Sequence, residues 1–121
     1  MPHPLLTSDL VRRLEDNGRS PTEDHVPLAK LFNPVGAATW LVTEMDSSGD
    51  GLFGLADLGF GCPELGWFSL SELEAIRLPF GLRIERDLSF RTAHPISVWA
   101  EHARTTGSLH EAERVLSALP G

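Results

Sequence analysis

Twelve residues, Asp46-Ser47-Ser48-Gly49-Asp50-Gly51-Leu52-Phe53-Gly54-Leu55-Ala56-Asp57, place oxygen-bearing side chains at loop positions one, three, five and twelve, with glycine at six. That is the spacing of a calcium loop. The last ligand would be Asp57 rather than a bidentate glutamate, and the segment leading in, Trp40 to Glu44, is strand-like where the calcium motif needs a helix. The expected structure is therefore a plain hairpin turn. A second cluster, Glu85-Arg86-Asp87, would turn two carboxylates to one face of a strand and Arg86 to the other. Acid–base work there would need a third group, such as Glu44 or Glu64, close enough to drive the pKa values apart. The preferred reading is structural: Arg86 forms an ion pair with Glu44, or with Glu64 or Glu72, and fastens the loop that follows the hairpin.

Other nucleophiles and ligands lack the company that chemistry requires. The histidines, at positions 3, 25, 94, 102 and 110, never fall in a metal-ligand spacing. Ser69 and Ser71 lie outside any Gly-x-Ser-x-Gly elbow, and Ser69 is explained as a helix cap. Cys62 has no second thiol to pair with, and Gly59-Phe60-Gly61 lacks the Lys-Ser/Thr of a phosphate loop. No catalytic residue, metal or cofactor is assigned. Phe60 and Trp67, in and beside a glycine-rich segment, are instead candidate exposed anchors, with Glu64, Glu85 and Asp87 as acidic neighbours in a partner-binding face.

These residues must be positioned by an α+β fold. Thr7 precedes a short amphipathic helix that stops at Asn17-Gly18. Val26–Phe32, Thr39–Met45 and Leu52–Asp57 read as strands of an antiparallel meander, with Gly54 marking a bulge or a close approach. Leu58–Gly66 reads as an irregular segment lying over the sheet. Ser69-Leu70-Ser71-Glu72 is a capping box opening a helix that ends before Pro79. Leu82 to Phe90 alternates like a half-buried strand. Pro95 opens a helix ending near Gly107, and Ser108-Leu109-His110-Glu111 opens a last one. The expectation is one domain over residues 1–121: a core at 26–90 and a helical segment at 94–120. It holds a small antiparallel sheet of four to five strands, an N-terminal helix, a central helix and a C-terminal helical pair.

Lys30-Leu31-Phe32, Thr39-Trp40-Leu41-Val42-Thr43-Glu44, Phe53-Gly54-Leu55, Pro63-Glu64-Leu65-Gly66, Ser69-Leu70-Ser71-Glu72-Leu73 and Ile84-Glu85-Arg86-Asp87 stand in an order and spacing that resembles the bacterial family known as domain of unknown function 2958. The resemblance spans roughly residues 26 to 90. It implies a protein carried on plasmids, integrated conjugative elements and phages, and it brings no site residues with it, because the family has no assigned activity.

Composition narrows the function classes. Seventeen Asp and Glu against ten Lys and Arg give a net charge of −7, which disfavours direct binding to a nucleic-acid backbone. No apolar run is long enough to span a bilayer. The N-terminus lacks the pattern of a secretory signal, so a cytoplasmic location is expected, in keeping with a lone cysteine. The leading expectation is a small, acidic, non-catalytic protein-binding or accessory protein of mobile genetic elements. Its partner would be a host nucleoprotein defence complex, CRISPR or restriction, inhibited by an acidic surface that its basic channel attracts. The rival is a small carboxylate-dependent enzyme using Glu44, Glu64, Glu85 or Asp87, with a divalent ion. Carboxylates converging on a cavity would favour the rival.

Overall fold

The computed structural model describes residues 5–119. Helix α1 (Ser8–Gly18) starts where the Thr7 hydroxyl accepts the Leu10 amide, at 3.1 Å. Strands β1 (Ala29–Phe32), β2 (Thr39–Met45), β3 (Gly51–Asp57) and β4 (Glu64–Ser69) follow, then helix α2 (Leu70–Ala75), a two-residue strand β5 (Glu85–Arg86), and helices α3 (Ile96–Thr106) and α4 (Leu109–Ser117). The five strands form one antiparallel sheet in the order β4-β3-β2-β1-β5. The α+β architecture expected from the sequence is the one observed.

Alternation along the strands sends side chains to two separate apolar layers. Leu31, Trp40, Val42 and Leu52 face α1, with Leu14 at its centre, and Leu73 of α2. Leu41 and Leu55 face the other way, onto Trp99, Ala103, Leu109 and Leu116 of the C-terminal helical pair. The sheet is thus covered on both sides, and its central strands read as nearly continuous apolar runs.

Gly54 meets both expectations placed on it. The β2–β3 register shifts between Val42 and Glu44, leaving Thr43 as an extra, fully buried residue whose hydroxyl donates to the Phe53 carbonyl at 3.1 Å. Gly54 lies opposite Val42 beside this bulge, and a Cβ on it would fall 1.7 Å from the Leu41 carbonyl oxygen. The C-terminus of α1 is drawn onto the same region: the Asn17 side-chain amide donates to the Thr43 carbonyl at 2.9 Å.

Three elements differ from the sequence reading, the first being β1, which begins at Ala29 rather than at Val26. Only residues 58–63 are irregular; Glu64–Ser69 is a regular strand paired with β3 along its whole length, with Gly66 opposite Gly54. The strand expected over Leu82–Phe90 shrinks to Glu85–Arg86. Its neighbour β1 is four residues long, and Asp87 ends the pairing by accepting the Ser89 amide at 2.9 Å in an Asx turn. Leu88, placed on the buried side by alternation, is 82% exposed.

Candidate functional site

The chain has two sheet edges, and they are built differently. The β5 edge is two residues long and carries Glu85 and Arg86, the short charged form that resists further pairing. The β4 edge is six residues long, and its charged residue, Glu64, stands at its start. Pairing parity shows which of its backbone groups are free. The Leu70 amide donates to the Asp50 carbonyl at 2.9 Å, so in the same register Phe68, Gly66 and Glu64 bond to Leu52, Gly54 and Ala56. Leu65 and Trp67 therefore point their N–H and C=O groups outward, and no hydrogen bond to them is made among the described residues.

Their side chains are also open. Trp67 is 57% exposed, yet its ring stands edge-on to Phe53 with centroids 5.3 Å apart, which holds the indole in place without covering it. Leu65 lies on the same face as Trp67 and is itself exposed, as are Leu58 and Phe60 in the turn before β4. Gly59 and Gly61 take left-handed backbone conformations in that turn (φ 93° and 84°), and the Gly59 amide is held by Asp57 at 2.9 Å. Ala56, Leu58, Phe60, Cys62 and Glu64 line a recess of about 180 Å³ at the strand's start. Of the residues read from the sequence as a binding face, Phe60 and Glu64 share this recess, while Trp67 lies farther along the same edge strand on its opposite face.

Glu85 and Asp87 do not join them. They lie at the far edge, four strand spacings or about 19 Å away across the sheet. Asp87 sits 3.7 Å from the Lys30 ammonium, which also holds Glu113 of α4 at 2.6 Å, so it fastens helix to sheet. The expected Arg86–Glu44 ion pair is corrected by the register. Arg86 pairs with Leu31, which pairs with Trp40, on the α1 face, whereas Glu44 pairs with Phe53 on the opposite face. The Arg86 guanidinium donates instead to the Leu5 carbonyl at 2.6 Å, and it makes no ion pair among the described residues.

The carboxylates named for chemistry are dispersed over β2, β4 and the β5 region. Among the described residues, no group of three or more His, Cys, Asp or Glu side chains is placed to hold a metal ion. The calcium-like segment is a hairpin turn whose carboxylates serve the backbone. Asp46 accepts the Ser48 hydroxyl at 2.6 Å and the Ser48 and Gly51 amides at 3.1 Å. Asp50 accepts the Ser69 hydroxyl at 2.6 Å and the Ser71 amide at 2.8 Å. Asp57, the twelfth position, turns to α4 and accepts the Leu109 amide at 2.8 Å. A larger recess of about 530 Å³, lined by Gly36, Gly59, Gly61, Gly107 and His110, has Asp57 in its wall, already engaged by two amides.

The carboxylates near the bulge and the hairpin respond to pH in opposite senses. Burial, partly offset by the charge of His25, raises the Glu44 pKa above its ordinary value, so the fold gains stability as pH falls from neutrality and Glu44 takes up its proton. The Ser48 hydroxyl bond to Asp46 and the Ser69 hydroxyl bond to Asp50 are the leading causes that lower those two pKa values. Their contribution is complete above the ordinary aspartate range and is lost as pH falls through the lowered values. Urea midpoints are expected to rise from neutral pH toward about pH 4.5 and to fall below it, and Glu44→Gln should abolish the rise while leaving the acid fall. A flat profile for the unsubstituted chain would contradict this assignment.

The family model described as "Protein of unknown function (DUF2958)" matches residues 5–110. The chain belongs to the DUF2958 family. The match runs well beyond the stretch of motifs at 26–90, taking in α1 and α3. No curated protein and no solved structure shows significant similarity to it. No helix among the described residues is long and apolar enough to cross a membrane.

One property of this DUF2958 chain is written in its sequence but hidden in the total. Residues 31–76, which hold β2, β3, β4 and α2, contain seven carboxylates (Glu44, Asp46, Asp50, Asp57, Glu64, Glu72 and Glu74) and no Lys, Arg or His. The rest of the chain carries ten acidic and ten basic residues and balances to zero. The whole net charge of −7 thus belongs to the part of the fold that ends in the β4 edge. Charge counted in windows along the chain would have found this; the net value averages it away.

Proposed function

We propose that this chain is a non-catalytic protein-binding accessory protein whose working surface is the β4 edge with the turn before it. The observation that carries the reading is Trp67: a large aromatic side chain fixed against Phe53 and left 57% exposed beside Leu65, on a strand with an open outer edge. Apolar anchors of this kind, rimmed by polar groups, mark interaction sites. The dispersal of Glu44, Glu64, Glu85 and Asp87 over β2, β4 and the β5 region supports binding over the rival carboxylate enzyme. Within the family context read from the motifs, the role is that of a cytoplasmic mobile-element product. Its partner is a host nucleoprotein defence complex, CRISPR or restriction, inhibited when the acidic β2–β4 region meets its basic nucleic-acid channel.

The test is capture of such complexes by the tagged chain and by two variants. Trp67→Ala should weaken capture by about thirtyfold, as removal of an aromatic hot spot does, while Glu85→Lys, at the other edge, should leave it unchanged. Full capture by Trp67→Ala would remove the β4 face from the function.

A further inference from the structure

The pairing parity of β4 goes further than an anchor. We infer that the partner contributes an extended basic segment that adds to the sheet as a sixth strand along β4, a mode of recognition that rests on the protein-binding reading above.

Three observations converge on it. Leu65 and Trp67 each present one outward N–H and one outward C=O, spaced as an incoming strand requires. The edge carries none of the devices that normally block pairing: no lysine, no proline within Glu64–Ser69, no bulge in the β3–β4 register. The two faces of the edge also ask for different side chains. On one face, Leu65 and Trp67 offer apolar neighbours. On the other, Glu64 offers a carboxylate, and Gly66 leaves a gap in which an added Cβ would meet nothing within 4 Å. An incoming strand that alternates apolar residues with long basic ones fits both, the basic chains lying across Gly66 toward Glu64.

Charge decides the occupant. A second copy of this chain pairing β4 to β4 would bring together two regions that each hold seven carboxylates and no basic residue, whereas a basic strand is attracted by the same field.

The probe is a fluorescein-labelled decapeptide of alternating Lys and Val, titrated with the full chain. It is compared with an alternating Glu-Val peptide and with two Lys-Val peptides N-methylated on one or the other edge of the backbone. The Lys-Val peptide should bind and the Glu-Val peptide should not, and methylation of one edge should cost at least about tenfold in affinity. Hydrogen exchange supplies a readout within the protein. The Glu64, Gly66 and Phe68 amides should be protected with or without peptide, and the Leu65 and Trp67 amides only when it is bound. Leu65→Pro removes an outward N–H while sparing the β3 ladder, and should abolish the peptide-dependent protection of the Trp67 amide.

Equal binding of both methylated peptides, or unprotected Leu65 and Trp67 amides in the complex, would overturn strand addition and leave a Trp67-dependent binding surface standing. Failure of the Lys-Val peptide to bind while Trp67-dependent capture persists would overturn it in the same way. Self-association that Leu65→Pro abolishes would overturn the basic partner in favour of a second copy. Insensitivity of capture to Trp67→Ala would instead strike the protein-binding reading itself.

Discussion

Gly54→Ala is expected to destabilise the fold by about 3 kcal/mol or more, enough to leave much of a small domain unfolded at ambient temperature. A methyl group there would lie 1.7 Å from the Leu41 carbonyl oxygen, an overlap with backbone that no rotamer change relieves. Relief would require β2 and β3 to part beside the bulge at Thr43, where the two apolar layers are separated by the sheet alone. Gly66→Ala is the matched control. Gly66 sits directly opposite Gly54 in the ladder, but its added Cβ meets nothing, so it should change stability by less than about 1 kcal/mol. Urea unfolding of the two variants side by side checks the pair: comparable midpoints would mean that the close approach at Gly54 is absent in solution.

Asp57→Ala should cost about 2–4 kcal/mol. Asp57 is 4% exposed, and its two carboxylate oxygens separately accept the Gly59 and Leu109 amides, at 2.9 and 2.8 Å. Truncation leaves the buried Leu109 amide without a partner, at about 1–3 kcal/mol, releases the exposed Gly59 amide to water at about 0.5–1.5 kcal/mol, and removes a negative charge from the N-terminus of α4. The loss should be local before it is global. Fast exchange of the Gly59 and Leu109 amides and proteolytic nicking within residues 58–63 are expected at denaturant concentrations where the β2–β3 amides remain protected. A simple cooperative loss with no such precursor would show that α4 is held mainly by its apolar stripe.

Much of this fold is legible in the residues because its helix starts are chemically explicit. Thr7, Ser69 and Ser108 each cap the helix that their spacing announces, the last two by accepting the amides of Glu72 and Glu111. Trp40 to Met45 and Leu52 to Asp57 are apolar enough, with a strong turn between them, to be read as a hairpin. β4 was obscured by its own composition: Pro63 and Gly66 are loop signals, and nothing local reveals that Gly66 will stand beside another glycine in the next strand. β5 failed in the opposite direction. Its alternation over Leu82–Phe90 is genuine, but the length of a strand is set by its neighbour, and β1 offers only four residues. Arg86 announced its need for a partner, yet the carbonyl that satisfies it belongs to Leu5, 81 positions away. The binding face divided for the same topological reason. Phe60, Glu64 and Trp67 are local to one edge, whereas placing Glu85 and Asp87 beside them required knowing the strand order.

The segregation of charge into residues 31–76 makes the molecule electrically lopsided, its excess negative charge lying on β2, β3, α2 and the edge strand β4. An approaching cationic body would exert a torque on it and turn that edge forward before any atoms touch, so that a larger share of collisions arrives aligned. The torque works only within a few screening lengths, each about 8 Å at physiological ionic strength, so added salt slows arrival while leaving departure to the short-range contacts.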